Sequence, residues 1–398
     1  MGVGKLIDVK VLVIGFIHSI HLVRFTECLL QLGHEPHVYP STPFQTLHPE
    51  FHDITIHGDR AYLNLEHNNN VEIKRLTPIL GTFGSLKSSA GALIRGLGNI
   101  LGIRKSHDRG LKKVHDKVKP DIIHIHEIQH AGQLYLQSKI VAKSKVLLSV
   151  WGIDLHFFQF IPKERQLILN VLRIVDHLLV EGSRDELISK QFGFKGDISI
   201  IQSTGGVNTK ALRPARSIDT QENRVGIIIK GEDNNVRRGL FAISSLFKIA
   251  DTISAYKIYI YSCSQSVIQE AEILTQKHSI DIEILPNISQ LELFNIFQKC
   301  IAHVIINSSD GVSNSLLESM LAGCIPVIGT SSCANDFLTD NVNAVIVNHR
   351  STESISNGLM RALENIELQK RALVQNREII YSRFSRDVIL SKIAEVYQ

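Results

Sequence analysis

The segment SSDGVSNSLLESMLAGCIPVIG, residues 308–329, sets the carboxylates of Asp310 and Glu318 on either side of a short turn of Gly, Ser and Asn. The apolar run AHVIIN (302–307) before it reads as a buried strand, and the apolar positions that follow read as a helix. The first backbone N–H groups of a helix have no partners within it, and with the helix dipole they form an anion site suited to phosphate. Gly311 allows the chain to turn closely, so Gly311, Val312, Ser313 and Asn314 are the candidate phosphate cradle. Glu318, about one turn inside the helix, can accept from neutral donors such as ribose hydroxyls, and Asp310 at its lip from the hydroxyls of a sugar. A plainer reading stands beside this one. Ser315 and Glu318 have the spacing of a capping box, and Asp310 is then an ordinary turn residue.

The elements that would position this turn repeat along the chain. VKVLVIGF (9–16) is a short apolar run rich in β-branched residues, the pattern of a strand buried on both faces. A helix follows, with Leu22, Phe25, Cys28, Leu29 and Leu32 on one face and Gly33 as its stop, and EPHVYP is the next strand. This β-α-β start predicts a parallel, doubly wound sheet with its ligand site at the carboxyl ends of the strands. The pattern continues through DIIHIH (121–126), KVLLSV (145–150), HLLVEG (177–182) and ISIIQS (198–203). It then starts afresh with RVGIIIKG (224–231), YKIYIYS, DIEILP, AHVIIN, CIPVIG and NAVIVN, after a polar linker at 208–224. The expected fold class is therefore α/β, with two doubly wound Rossmann-like domains facing a cleft. The expected boundaries are 1–211 for the first domain, 212–378 for the second, and 379–398 for a closing helix. Within the second domain, Ser289 and Glu292 mark a helix start by their capping-box spacing.

Composition narrows the function. At 398 residues and 44% hydrophobic content, the chain is long enough for two cores. A net charge of +4 lacks the dense basic surface of a dedicated nucleic-acid binder. The five cysteines form no CxxC pair and read as buried thiols in a reducing compartment. The amino terminus has too short an apolar run for an anchor and no secretory signal, and Leu6 stands where a myristoylation site needs Ser or Thr. Residues 80–119 mix Leu, Ile, Phe and Gly with Arg104, Lys105, Arg109, Lys112, Lys113, Lys117 and Lys119. Such a segment suits an anionic membrane surface, or else is a helix with a solvated basic face.

The stretch from Asp310 to Ile328, DGVSNSLLESMLAGCIPVI, resembles the E-x7-E motif of the family 4 retaining glycosyltransferases of the GT-B fold, which reads EGxxxxLLEAMAxGxPVI. The resemblance implies that Glu318 holds the ribose of a nucleotide, that Asp310 contacts the donor sugar, and that Gly311 to Asn314 lie near the diphosphate. Asp310 is one methylene shorter than the family's glutamate, so it is the position expected to report sugar identity. The family also sets two basic residues on the donor diphosphate. Lys230 after GIIIK and Arg238 in VRRGLFAISSL match these, with Arg237 competing for the second position. Two fixed cations beside a diphosphate stabilise the charge that grows as the nucleotide leaves, without a metal.

In the first domain, GFIHSIHLVRF resembles the family's first turn and H-x-x-R, carrying His18, His21 and Arg24. DIIHIHEIQHAG, with His126 and Glu127, resembles a DxVHxH strand end. VWGIDLHFF resembles HGSD, with Trp151 where many members have histidine and Asp154 after it. These seven residues are the expected acceptor side. The family pattern also implies that the closing helix crosses back to the first domain. HLVRF, the tryptophan variant and DGVSNSLLE resemble the subgroup acting on bacterial surface polysaccharides. The function implied is transfer of a sugar from a nucleotide diphosphate sugar to a glycan or lipid-linked acceptor, with no cofactor and no metal. The implied setting is cytoplasmic, on the inner face of the membrane. A nucleotide-sugar 2-epimerase and a non-catalytic partner subunit are the rivals. A metal cluster of His124, His126, Glu127 and His130 has no common zinc spacing, and no GxSxG elbow supports a serine hydrolase.

Overall fold

The computed structural model describes residues 9–43, 45–58, 63–64, 72–74, 107–141, 143–214 and 224–398. The amino terminus, residues 80–106 of the basic segment and 215–223 of the linker lie outside them. Two compact units are present. The first comprises residues 1–180, 185–205 and Leu390–Gln398, and the second Glu181–Arg184 and Gly206–Ile389. The closing residues thus belong to the first unit.

Strands of the first unit are β1 (Lys10–Gly15), β2 (Glu35–Pro40), β3 (Gln45–Thr46), β4 (Thr55–His57), β5 (Leu63–Asn64), β6 (Glu72–Lys74), β7 (Ile122–His126), β8 (Lys145–Ser149), β9 (His177–Val180) and β10 (Asp197–Ile200). Eight of them form one sheet in the order β10-β9-β8-β7-β1-β2-β4-β6, every pair parallel, while β3 and β5 pair separately. Helices α1 (Ile20–Gln31), α2 (107–118), α3 (Gln133–Ser138), α4 (Pro162–Leu172) and α5 (Ser183–Gln191) link its strands. Leu12, Ile14, Ile123, Ile125, Leu148 and Val180 are buried in one apolar cluster, as expected of strands covered on both faces. The sequence reading does not anticipate β4 and β6. They are three-residue strands at the sheet edge, too short for a periodicity to register.

The second unit contains β11 (Gly226–Lys230), β12 (Lys257–Tyr261), β13 (Ile282–Ile284), β14 (Cys300–Ile305), β15 (Ile325–Gly329) and β16 (Val345–Val347). Their order is β13-β12-β11-β14-β15-β16, again all parallel. Its helices are α6 (Gly239–Leu246), α7 (Ala250–Ile253), α8 (Gln265–His278), α9 (Gln290–Phe297), α10 (Asn314–Ala322), α11 (Thr352–Glu364) and α12 (Ile366–Ile379), and α13 (Arg386–Val396) follows. Two consecutive doubly wound Rossmann-like sheets are thereby present. The strand order reverses at β1/β7 in the first and at β11/β14 in the second, and such switch points open crevices at the strands' carboxyl ends.

Local signals account for the element ends. Ser289 and Glu292 do form a reciprocal capping box on α9. Gly323 ends α10 with φ +102°, a conformation few side chains tolerate, and Arg224 donates to the carbonyls of Ala322 and Gly323 at 2.7 Å each. All five cysteines are free thiols, and four of them are buried. Among the described residues, no helix is long and apolar enough to cross a membrane.

Candidate active site

At the switch point of the second unit, β11 delivers Lys230 and β14 leads into Asn307, Asp310 and α10. Ser313 is the N-cap of α10, its hydroxyl accepting from the Leu316 amide. That removes the capping-box reading of Ser315 and Glu318. Glu318 lies inside the helix, 4% exposed, where its Oε1 accepts from Gln290 Nε2 at 2.6 Å. The carboxylate is thus aimed by a neighbouring helix and takes no part in capping.

Asp310 is also buried. One carboxylate oxygen accepts from Asn307 Nδ2 at 2.7 Å and forms an ion pair with Arg237 at 2.7 Å, while the other accepts from the Gly311 amide at 3.0 Å. Burial alone would push its pKa up, but the Arg237 and Lys230 charges and these hydrogen bonds hold it below the ordinary carboxylate value. The Val312 amide donates to the Glu181 carboxylate at 2.7 Å within the same unit. Two amides of the candidate phosphate cradle, those of Gly311 and Val312, therefore already face carboxylate oxygens.

The two arginines separate. The loop after β11 turns at Asn234, whose side-chain oxygen accepts from the Val236 and Arg237 amides at 3.0 Å. The chain then runs extended beside the exit of β14, with Arg237 paired to Asn307, the Arg238 amide bonded to the Ile306 carbonyl at 2.9 Å, and the Ser308 amide to that of Val236 at 2.8 Å. Consecutive side chains of an extended segment point to opposite sides. Arg237 faces Asp310, with Glu232 at 3.6 Å, whereas Arg238 precedes α6, its guanidinium 3.5 Å from the Asn234 carbonyl. Gly239 begins α6 where a Cβ would lie 2.8 Å from backbone atoms of Gly231 and Glu232, so only glycine lets the helix start this close to the turn.

Lys230 completes the group. Burial and the Arg237 charge push its pKa below the usual lysine value, against the opposing pull of Asp310 and Glu232. Among the described residues its ammonium makes no direct hydrogen bond or ion pair. A desolvated cation, a carboxylate–guanidinium pair and a helix start thus converge at one strand switch, an arrangement that can hold a polyanion and a polyhydroxylated group side by side.

In the first unit, Trp151 follows β8, and its amide donates to the Asp154 carboxylate. Its indole lies 5.4 Å from the His21 ring, 6.2 Å from His126 and 6.3 Å from Phe16. His126 is fully buried at the end of β7, and burial followed by the His21 charge pushes its pKa down to about 3. His21, His126, Trp151 and Asp154 are therefore brought together. His18 is exposed, its ring tilted against Phe16 at 5.2 Å, and Arg24 is half-buried on α1. Glu127, at φ +76°, turns into the chain behind it and accepts from the His130 and Ala131 amides. His124 faces the Tyr397 hydroxyl at 2.5 Å and the Ser149 hydroxyl at 2.8 Å, so its two nitrogens are engaged. Among the described residues no group of three His, Cys, Asp or Glu is placed to hold a metal.

Sequence reasoning misses several residues here. Gln290 and Phe16 join these sites through contacts far apart in the chain, and Asn307 through Asp310, three residues on. Only Asn307 carries a signal, as the polar residue ending an apolar strand.

The glycosyl transferase 4-like family model matches residues 104–182. No curated protein matches the chain. Among solved structures, the chain is similar to HepE of Anabaena in complex with UDP and glucose, at 12% identity and TM-score 0.67, covering 98% of this chain and 99% of that one. Sucrose-phosphate synthase from Thermosynechococcus elongatus matches at 14% identity and TM-score 0.71, covering 98% of each chain. An α,α-trehalose-phosphate synthase (UDP-forming) from Burkholderia vietnamiensis matches at 12% identity and TM-score 0.65, covering 98% and 99%. The fold is GT-B.

Proposed function

We propose that this GT-B chain, glycosyl transferase 4-like over residues 104–182, is a retaining glycosyltransferase that moves a sugar from a nucleotide diphosphate sugar to a glycan or lipid-linked acceptor. The observation that supports this most is Lys230, a desolvated ammonium with no direct partner among the described residues, beside the Arg237–Asp310 pair and the start of α10. In this reading the second unit binds the donor. Glu318 accepts from the ribose hydroxyls, Asp310 from a sugar hydroxyl, and the start of α10 at Gly311 to Asn314, with Lys230, lies near the diphosphate. Lys230 and Arg237 supply the fixed positive charge that stabilises the leaving nucleotide diphosphate, and Arg238 adds to it from the start of α6.

The bond between the anomeric carbon and the phosphate oxygen breaks as the acceptor oxygen attacks on the same face. The acceptor's proton passes to the departing phosphate, so no protein nucleophile is needed. His21, His126, Trp151 and Asp154 of the first unit orient the acceptor. UDP is the first nucleotide to test, because the HepE structure contains it.

Glu318→Ala and Lys230→Ala are each expected to reduce turnover by about 10²- to 10³-fold, with a chelator leaving the wild type unchanged. Initial rates on nucleotide sugars with an acceptor panel measure this, and near wild-type rates for both variants would remove the site assignment. Donor incubated alone separates the rival: an epimer formed without acceptor would make the enzyme an epimerase.

Surface-polysaccharide synthesis rests on the likeness of HLVRF and DGVSNSLLE to that subgroup. Attachment to the inner face of an anionic membrane is supported by α2 and the residues that follow it, where Arg109, Lys112, Lys113, Lys117 and Lys119 are exposed with Asp116. Vesicles of anionic lipid should carry the protein upward in a flotation gradient at low salt and release it at high salt. Absence from the floating fraction at low salt rules the attachment out.

A further inference from the structure

Beneath the donor turn, a line of polar side chains crosses the apolar core of the second unit. Tyr261 ends β12, opposite Lys230 in the parallel register. Its hydroxyl lies 3.0 Å from His303 Nε2, and His303 Nδ1 lies 2.7 Å from the Ser319 hydroxyl. His303 and Ser319 are both fully buried. Their neighbours are apolar: Phe297 packs on the His303 ring at 4.9 Å, and Leu316, Leu317 and Met320 surround Ser319 on α10. The family motif has alanine where Ser319 stands, so the hydroxyl is a departure at a position that packing alone would fill with a methyl group.

The hydrogen bonds have a definite direction. Ser319 donates its one proton to the Leu316 carbonyl at 2.8 Å, so toward His303 its oxygen can only accept. His303 therefore carries its proton on Nδ1 and offers Nε2 as an acceptor, which the Tyr261 hydroxyl fills. The Tyr261 proton is thereby committed to His303. The line runs from Tyr261 to His303 to Ser319 to the Leu316 carbonyl. Burial keeps His303 neutral, with the nearby Lys230 charge acting in the same direction.

The line ends on α10, where Ser319 directly follows Glu318. Its other members are on β12 and β14, the strands that flank β11 and Lys230. Tyr261 is also within the field of Glu318, Arg237 and Asp310. Apolar contacts are not directional, whereas a buried hydrogen bond from β14 to one residue of α10 fixes the helix at that point.

We propose that Tyr261, His303 and Ser319 are positioning residues of the donor site, acting through α10 to hold the Glu318 carboxylate where it meets the nucleotide's ribose. The proposal rests on the donor-site reading of Glu318 given above.

Calorimetric binding of UDP, GDP and ADP to the full chain tests it, using whichever nucleotide binds the wild type most tightly. Tyr261→Phe and Ser319→Ala are each expected to weaken that nucleotide by about 5- to 10-fold, the effect of one hydrogen bond, while Ser319→Thr, which keeps the hydroxyl, restores it. In a Glu318→Ala background the same substitutions should cause no further loss, because the residue through which they act is gone. A merely structural role would instead give additive losses, and additivity overturns the proposal. So does unchanged affinity in Tyr261→Phe. If no nucleotide binds the wild type, or if Glu318→Ala binds as tightly as the wild type, the donor-site reading has failed and the proposal falls with it.

Discussion

Replacing Arg237 by alanine is expected to destabilise the second unit by about 3–5 kcal/mol, the range for removing one partner of a buried ion pair, and to reduce turnover by at least about 10²-fold. Both side chains of the pair are mostly shielded, 16% exposed for Arg237 and 11% for Asp310, so solvent screens the interaction little. Without the guanidinium, Asp310 retains Asn307, the Gly311 amide and the more distant Lys230, which are too few to stabilise a buried carboxylate. The cost of desolvation then favours its protonated form, which accepts fewer hydrogen bonds from a sugar. Arg238→Ala is the matched comparison, because among the described residues that side chain reaches only the Asn234 carbonyl, at 3.5 Å. Urea titration and initial rates should rank Arg237→Ala far below Arg238→Ala. The reverse ranking would return the second cationic role to Arg238.

Acidification is expected to unfold the first unit before the second. His107, His124 and His126 are buried there, with pKa values about 4 for His107, well below the ordinary 6.5 for His124, and about 3 for His126. Burial is the leading cause in each case. Because the folded values lie below the unfolded one, stability is fully present above pH 6.5 and declines as the pH falls toward the folded values. Each such group costs about 1.4 kcal/mol per pH unit in that window. His124 and His126 lie 4.2 Å apart and do not titrate independently, so a combined slope of about 3–4 kcal/mol per pH unit follows for this unit between roughly pH 6 and 4. Among the described residues of the second unit, burial pushes His303 well down and His349 down, so the slope there is smaller. Trp151, the chain's sole tryptophan, belongs to the first unit, so its fluorescence isolates that unit while far-UV circular dichroism reports both. The fluorescence transition should come at the higher pH. Coincident transitions, or a first unit intact at pH 4, would falsify the assignment of these histidines as neutral and buried.

The fold was largely legible before the structure because its signals are local. Runs such as VKVLVIGF and RVGIIIKG declare strands covered on both faces, Gly33 follows α1 at φ +81°, and Ser289 with Glu292 makes the capping box that its spacing announces. The β11 to β16 series follows from the same signals. What failed to register were β4 and β6, whose three residues each owe their conformation to a neighbouring strand's edge. Boundaries read from composition also differ in kind from those set by contacts. The linker reading ends the first domain at 211, whereas the compact units divide between Gly205 and Gly206 and again between Ile389 and Leu390, where long-range packing changes partners.

For the turn at 308–313, the sequence alone determined the motif from Asp310 to Ile328, the helix within it, and the residue types available to hold an anion and a hydroxyl group. It left two choices open. Whether Glu318 caps its own helix depended on where α10 begins, and the structure places the cap on Ser313 and gives Glu318 to Gln290 on another helix. Which arginine turns toward Asp310 depended on pairing between the β11 loop and the exit of β14, and that pairing turns Arg237 inward and Arg238 away. Both decisions concern side-chain direction at the meeting of segments distant in the chain. Residue spacing cannot supply that direction, because an extended segment offers its neighbours to opposite sides with equal ease until a partner strand fixes its face.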